Sequence, residues 1–209
     1  MTVKVVDDRL ELAGREVWIR RPADSEALLT DEAFEREEFL PYWADLWPSA
    51  IELAHVVARW DLAGSRVLEL GCGLALPGIA AALGGGRVTV SDWAPDALGF
   101  ARANAERNGV SLDVVEVSWA EPRALVEGAP WDVVIAADVL YEQSNVDQLL
   151  DLLPRLVDGG RVVLADPGRI PATRFLREAA GAWQITTAQA DGSPIRIHTL
   201  VAAGAAGGR

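Results

Sequence analysis

Residues 67–78 read VLELGCGLALPG, a mostly apolar run that carries one acid and then three glycines in eight positions. The run RVLEL at 66–70 predicts a buried strand, and LPGIAAALG at 76–84 predicts a helix. Glycines between a strand and a helix indicate a backbone that a ligand approaches closely. The stretch therefore predicts a strand–loop–helix unit with a binding function.

The pattern on either side of this unit predicts the fold. From residue 66 onward, apolar strand-like segments alternate with amphipathic helical ones, which is typical of a parallel sheet covered on both faces. The last two strands, WQITTAQ and IRIHTLVA, are joined by the turn ADGSP, so they are expected to be antiparallel, with the final strand at or near the sheet edge. The predicted class is α/β, a Rossmann-like doubly wound seven-stranded sheet, mostly parallel with an antiparallel last strand.

The chain is expected to divide into three parts. Residues 1–40 form an N-terminal β/α extension, with short strands VKVV, LEL and EVWI around a turn at Ala13-Gly14, then one or two acid-rich helices from Asp24 to Phe39. Residues 41–203 form the main domain, in which a helix begins near Pro48. The tail at 204–209, GAAGGR, is expected to be disordered.

Composition excludes several functional classes. The 209 residues carry a net charge of −12, which repels polyphosphate, so nucleic-acid binding is not expected and basic partners are favoured. The single cysteine, Cys72, permits neither an internal disulfide nor a cysteine metal cluster. The first residues lack a signal-peptide pattern and no apolar run is long enough to span a membrane, so a cytoplasmic protein without membrane contact is expected.

Two phosphate-binding interpretations of the glycine loop fail on individual residues. The dinucleotide fingerprint requires a glycine where this chain has Leu76. A P-loop requires a lysine, and the chain has none after Lys4. S-adenosylmethionine, which carries an ammonium, a sulfonium and a ribose but no phosphate, suits the loop better.

Two acids flank the loop at informative positions. Glu69 precedes it and can supply negative potential near the amino-acid end of the ligand or organise the loop. Asp92 ends the next predicted strand, 21 residues beyond Gly71, where a carboxylate can accept the ribose hydroxyls. The alternative is a helix-entry turn followed by a solvated strand-end acid.

With these features, the sequence resembles a class I S-adenosylmethionine-dependent methyltransferase. It is most similar to the seven-strand protein-lysine methyltransferases (methyltransferase family 16), within that group to the electron-transfer-flavoprotein β-subunit lysine methyltransferases and their bacterial relatives. The resemblance covers about residues 38–200. It is carried by the segments PYWADLWPSAIELA, VLELGCGLALPGIAA, VTVSDWAPDAL, VVIAADVLYE and LADPGR.

The resemblance implies a set of site residues. The cofactor-binding residues would be Trp47, Glu69, Gly71, Cys72, Gly73, Asp92, Trp93, Trp119 and Ala137. The D-x-x-Y motif of the group corresponds to Asp138 and Tyr141, which would be catalytic. No metal is implied. The chain departs from the group at Ala75, which replaces the third glycine of E-x-G-x-G-x-G and should be tolerated because alanine is small.

The candidate catalytic residues also have structural interpretations. Asp138 ends an apolar strand and could hold a substrate amine near the methyl group, or could only cap the following turn. Tyr141 could offer an aromatic face to a methylammonium, or pack in the core. Arg169 could bind a substrate carboxylate, pair with Asp138 or Asp166, or belong to a turn, whereas His198 is expected to serve packing.

Three functions follow from these residues. The first is transfer of a methyl group from S-adenosylmethionine to a nitrogen, most directly a lysine side chain of a partner protein. The second uses the same cofactor on a small-molecule amine or a related metabolite. The third is a non-catalytic nucleotide-binding module, against which the intact set of cofactor and D-x-x-Y residues argues.

Overall fold

The computed structural model describes residues 3–28, 41–190 and 192–203. The chain begins with an antiparallel hairpin of β1 (Val5–Leu12) and β2 (Arg15–Pro22). Its turn places Ala13 and Gly14 at positive φ, 49° and 79°. The predicted strands VKVV and LEL are therefore wrong in extent, since a single strand runs through the acids between them.

The acidic segment after the hairpin is described only at its start. A 3-10 turn spans Glu26–Leu28. The rest of the helix predicted from Asp24 to Phe39 lies, from residue 29 onward, outside the described residues, as does the tail at 204–209. The proposed division at residue 40 stays a prediction.

A seven-stranded sheet forms the centre of the protein, with the strand order β5-β4-β3-β6-β7-β9-β8. Its strands are β3 (Arg66–Leu70), β4 (Arg87–Asp92), β5 (Asp113–Glu116), β6 (Val133–Ala137), β7 (Arg161–Asp166), β8 (Trp183–Gln189) and β9 (Arg196–Ala202). Strands β3 to β7 are parallel, and β9 is antiparallel to both of its neighbours, β7 and β8. The predicted fold class is confirmed, with the last strand inserted one place from the edge.

Six α-helices of the described ranges cover the sheet. They are α1 (Pro48–Val57), α2 (Leu76–Leu83), α3 (Pro95–Arg107), α4 (Arg123–Glu127), α5 (Gln143–Leu156) and α6 (Ile170–Ala179). The helix predicted near Pro48 is confirmed, because Pro48 is the first residue of α1 and Trp47 is its N-cap. Within the described ranges, none of these helices is both long and apolar enough to cross a bilayer.

Alternate residues of each central strand belong to two separate hydrophobic cores. In β6, Val133 and Ile135 pack with residues of α1, α2 and α3. Val134 and Ala136 of the same strand pack with residues of α4, α5 and α6. Because successive side chains of a strand point to opposite faces, the near-continuous apolar strands require helices on both sides of the sheet.

The hairpin is attached to the main domain by two asparagine side chains of the α3 region. Asn104, fully buried, accepts a hydrogen bond from the backbone N–H of Arg20 at 2.7 Å and donates one to its carbonyl at 3.1 Å. Asn108 makes the same pair of bonds to Trp18, at 2.9 and 2.7 Å. The two amides satisfy the free edge of β2 as a neighbouring strand would.

Candidate active site

One cavity of about 1120 Å³ opens at the carboxyl ends of the parallel strands. It lies where the strand order reverses around β3, the position at which doubly wound sheets bind ligands. The structure brings all of the predicted site residues to its lining: Trp47, Glu69, Gly71, Cys72, Gly73, Asp92, Trp93, Trp119, Ala137, Asp138 and Tyr141.

The glycine loop requires residues that have no side chain. Gly71 and Gly73 have positive φ values of 61° and 49°. A β-carbon at Gly73 would lie 3.1 Å from the carbonyl oxygen of Trp43, and one at Gly71 would lie 3.4 Å from the ring of Trp119. Ala75 adopts the same left-handed backbone, with φ 61°, which costs alanine about 1–2 kcal/mol more than glycine.

Gly78, by contrast, does not line the cavity. It lies in α2, and a β-carbon there would meet Oε2 of Glu69 at 2.5 Å and Cγ1 of Val90 at 2.8 Å. Of the three glycines in the opening stretch, two leave room at the cavity and the third allows the helix to pack on the sheet.

Glu69 organises the loop from inside the protein. Its side chain is buried, and its Oε2 accepts a hydrogen bond from the backbone N–H of Gly78 at 2.9 Å. Burial raises the pKa of this carboxyl well above its ordinary value. Of the two roles expected for Glu69, these contacts support the role of organising the loop.

Asp92 holds the loop and lines the cavity at once. Its Oδ2 accepts a hydrogen bond from the N–H of Gly73 at 2.9 Å, and its Oδ1 accepts one from the N–H of Ala94 at 3.0 Å. Burial raises its pKa above the ordinary value. A backbone hydrogen bond from Trp93 also reaches this carboxyl, which leaves about one of its four acceptor sites for a ligand hydroxyl.

Glu116 is a cavity residue that the sequence analysis did not single out. It ends β5 directly beside Asp92 in the sheet register and lines the same cavity. The signal that could have found it is its position at the carboxyl end of a parallel strand, the rule that identified Asp92.

Aromatic rings form one wall of the cavity. The ring of Tyr42 lies edge-on to Trp47, with centroids 6.0 Å apart, and to Tyr141 at 5.7 Å. The indole N–H of Trp47 donates to the carbonyl of Tyr42 at 2.7 Å. Burial raises the pKa of the Tyr141 phenol. Tyr42 was missed in the sequence because its contact with Tyr141 joins residues that lie far apart in the chain.

Asp138 stands at the end of β6 with a positive φ of 58°. Arg169 donates to its Oδ1 from Nε and from Nη2, each at 2.8 Å, and Ser49 donates to its Oδ2 at 3.3 Å. Among the alternatives for Arg169, the structure shows the ion pair with Asp138. Ser49 carried no signal in the sequence beyond its place in the first turn of a helix.

Two further polar residues are inert in their surroundings. Cys72 is buried, and burial raises the pKa of its thiol well above the ordinary value, which disfavours a nucleophilic thiolate. His198 is buried in β9, where its Nδ1 lies 2.8 Å from the Thr187 hydroxyl, as expected of a packing residue.

The family comparison is consistent with this geometry. A model of the lysine methyltransferase family matches residues 4–169, most of the chain. The chain belongs to the lysine methyltransferase family. The match takes in the glycine loop, Asp92, the D-x-x-Y motif and Arg169.

Individual members of the lysine methyltransferase family and related enzymes are similar over part of the chain. Protein N-lysine methyltransferase METTL21A of Danio rerio is 37% identical over 128 residues, 58% of each protein. The electron transfer flavoprotein beta subunit lysine methyltransferase of Xenopus laevis is 36% identical over 151 residues, 67% of this chain and 60% of that protein. Histone-arginine methyltransferase METTL23 of Xenopus laevis is 36% identical over 52% of this chain and 49% of that protein. The chain thus spans about half to three fifths of the length of these relatives.

Solved structures confirm the methyltransferase fold. The Thermus thermophilus 16S rRNA N2 G1207 methyltransferase RsmC, in complex with AdoMet and guanosine, superimposes with a TM-score of 0.67 and 16% identity over 97% of this chain and 51% of that one. The ribosomal protein L11 methylase of Lactobacillus delbrueckii subsp. bulgaricus gives a TM-score of 0.61 and 18% identity over 76% of this chain and 80% of that one. At these identities the likeness establishes the fold of the family and no more.

Proposed function

We propose that this protein is an S-adenosylmethionine-dependent N-methyltransferase that methylates lysine side chains of a partner protein. The observation that carries the proposal is a single cavity at the strand switch point, in which the glycine loop, Asp92 and Asp138 meet. Membership of the lysine methyltransferase family supports the same conclusion.

The residues present fit the proposed cofactor. Acidic side chains line the cavity in excess over the two guanidinium groups of Arg123 and Arg169, which suits a ligand with an ammonium and a sulfonium. Gly71 and Gly73 would admit its amino-acid portion to the backbone, Asp92 would accept a hydrogen bond from the ribose, and Trp47 and Trp119 would flank it. When bound, this cofactor supplies a methyl group already activated by the positively charged sulfur.

The chain's own task is to position and desolvate the amine. The Asp138 carboxylate, 8% exposed, would accept an N–H of the amine and orient its lone pair. The rings of Tyr42 and Tyr141 would exclude water and offer their faces to a methylated ammonium. Such a displacement needs no covalent enzyme intermediate, because positioning supplies much of the rate.

A protein acceptor is favoured by the surface around the cavity. The large aromatic residues that are exposed in the described part of the chain are Tyr42, Trp93 and Tyr141, and all of them line this cavity. Exposed aromatic groups that share a rim with acids suit a basic protein segment. A small-molecule amine is the second candidate, since the cavity itself would admit one; a cytoplasmic location and the lack of nucleic-acid or membrane partners stay predictions from the sequence.

A labelling experiment tests the acceptor. The protein is incubated with tritiated S-adenosylmethionine and a cell lysate, and proteins are then separated from metabolites. Lys4 is the chain's one lysine, so a Lys4→Arg variant removes self-methylation on lysine side chains. We expect label on lysine in partner proteins, assigned by mass spectrometry. Label confined to metabolites would support the small-molecule alternative, and label on arginine would contradict the lysine assignment.

Cofactor binding is tested at Asp92. We expect Asp92→Asn to weaken S-adenosylmethionine binding by about tenfold or more in calorimetry, because a charged acceptor of hydroxyl groups is lost. Asp92→Ala should weaken it further, since it also releases the N–H groups of Gly73 and Ala94. Asp96→Asn, an exposed acid in the first turn of α3, is the matched control. Equal affinity in Asp92→Asn and wild type would remove the ribose assignment.

A further inference from the structure

The carboxylate of Asp138 is held unequally at its two oxygens. Oδ1 receives both guanidinium contacts from Arg169, each 2.8 Å long. Among the described residues, Oδ2 receives only the hydroxyl of the buried Ser49, at 3.3 Å. An oxygen accepts about two hydrogen bonds, so Oδ1 is saturated and Oδ2 keeps one free acceptor site.

Arg169 is itself fixed by a second carboxylate. Asp166 ends β7, and its Oδ1 accepts hydrogen bonds from the N–H groups of Gly168 at 2.6 Å and Arg169 at 3.0 Å. Asp166 is 1% exposed, and its Oδ2 has no hydrogen-bond partner within the described residues. Burial raises the pKa of this carboxyl.

The sheet register brings these groups together. Ala137 of β6 lies opposite Ala165 of β7, and the N–H of Asp138 donates to the carbonyl of Ala165 at 2.9 Å. Asp138 and Asp166 therefore end adjacent strands, and the loop after β7 returns the Arg169 side chain to Asp138. The backbone and the side chain of Arg169 are each bound to a different carboxylate.

We propose that Arg169 is a positioning residue, anchored by Asp166, whose guanidinium occupies Oδ1 of Asp138 and thereby presents Oδ2 to the amine of the substrate. This inference rests on the proposed function. The left-handed backbone of Asp138 is strained and persists only where its surroundings fix it. Arg169 supplies such a constraint. If Arg169 had to leave Asp138 before the substrate bound, its anchor on Asp166 would oppose that movement.

The kinetic test compares two substitutions of Arg169. The acceptor probes are a synthetic peptide library with one fixed lysine and, as a small amine, n-butylamine. We expect Arg169→Gln to lower kcat about tenfold to hundredfold, the scale of a misplaced reacting group, with S-adenosylmethionine affinity unchanged. Arg169→Lys keeps the charge and should recover part of the rate. A loss of S-adenosylmethionine affinity that accounts for the whole decrease, or full activity in Arg169→Gln, would overturn the proposal.

A double-mutant cycle tests whether the residues act as a unit. If Arg169 acts through Asp138, the pair Asp138→Asn and Arg169→Gln should be about as slow as Asp138→Asn alone. Multiplicative losses would show that Arg169 acts independently and would contradict the proposal. In the same way, Asp166→Ala should cause no further loss of rate in the Arg169→Gln background. Asp166→Asn retains the acceptor oxygen and serves as the second variant if Asp166→Ala does not fold.

A spectroscopic measurement separates this inference from the proposed function. In wild-type protein, the Nε–H of Arg169 should give a slowly exchanging signal in ¹⁵N NMR, identified by its absence in Arg169→Gln. We expect the signal to exchange rapidly in Asp138→Asn and in Asp166→Ala. If wild type methylates neither probe, the proposed function fails, whereas rapid exchange already in wild type would refute the anchored guanidinium.

Discussion

At the scale of single residues, Gly78 shows how tightly the sheet and α2 approach each other. We expect Gly78→Ala to lower the free energy of unfolding by about 2–4 kcal/mol, because its methyl group would overlap Glu69 and Val90, both buried. Urea denaturation measures the change.

The matched control for this substitution is Gly99→Ala. Gly99 lies on the exposed side of α3, and a β-carbon there meets nothing within 4 Å. It should raise the free energy of unfolding by about 0.5–1 kcal/mol, since alanine favours a helix over glycine. A Gly78→Ala variant as stable as wild type would contradict the close packing.

Residue spacing predicted that the glycine loop and Asp92 lie together at one cavity but could not predict the hydrogen bonds there. Gly71, Gly73 and Asp92 follow a strand–loop–helix–strand pattern that places them together in any doubly wound sheet. Ser49 and Tyr42 reach the cavity through tertiary contacts with Asp138 and Tyr141, about ninety or more residues away. Nothing local in the sequence encodes such a contact.

At the scale of elements, strands were predicted best where both faces are buried or turn residues bound them. Strands β3 and β8 begin and end where the sequence analysis placed them, and β4 ends at the predicted residue, Asp92. The extent of β1 was predicted wrongly, and α4 was not predicted at all. In β1, Asp7 and Asp8 stay in the strand because Arg20 and Arg21 of β2 pair with them, at 2.9 and 2.6 Å. Helix α4 has only five residues, too few for a helical period to be visible.

His198 lies in β9, between β7 and β8, in an environment that disfavours its protonated form. Burial, assisted by the positive charge of Arg196, lowers the pKa of His198 below its ordinary value of 6.5. The unfolded chain therefore binds a proton more readily than the folded one. As the pH falls below about 6.5, the free energy of unfolding of wild type should decrease relative to His198→Asn, by up to about 1.4 kcal/mol per pH unit. Denaturation curves from pH 7.5 to 5 test this; a constant difference between the two proteins would contradict it.

At the scale of the whole molecule, the hairpin is joined to the main domain by buried apolar residues and by polar side chains, not by sheet continuity. The hairpin forms its own two-stranded sheet. Its edge is completed by Asn104 in the last turn of α3 and by Asn108, the C-cap of that helix, which are four residues apart. Because asparagines in a helix with many charges predict a solvated surface, this attachment could not be predicted from the sequence.

Loss of the Asn104 side chain should loosen the attachment. We expect Asn104→Ala to lower the free energy of unfolding by about 3 kcal/mol, since it leaves the N–H and carbonyl of Arg20 and the carbonyl of Leu74 without their partner. Limited proteolysis should then cut the hairpin first. Arg102→Ala, on the exposed side of α3, is the control and should change neither stability nor cleavage. Equal resistance of the Asn104→Ala and wild-type hairpins would show that other contacts suffice.

The third hydrogen bond of Asn104 has a thermodynamic meaning. The same amide that holds Arg20 also donates to the carbonyl of Leu74, inside the glycine loop, at 3.2 Å. A ligand that orders the loop would thereby favour the attachment of the hairpin to the main domain. By linkage, an attached hairpin would favour binding of the ligand. The amide protons of Trp18 and Arg20, which the two asparagines hold, would then exchange with deuterium more slowly when the cavity is filled. In this way a strand outside the main sheet would report the occupancy of a site to which it contributes no lining residue.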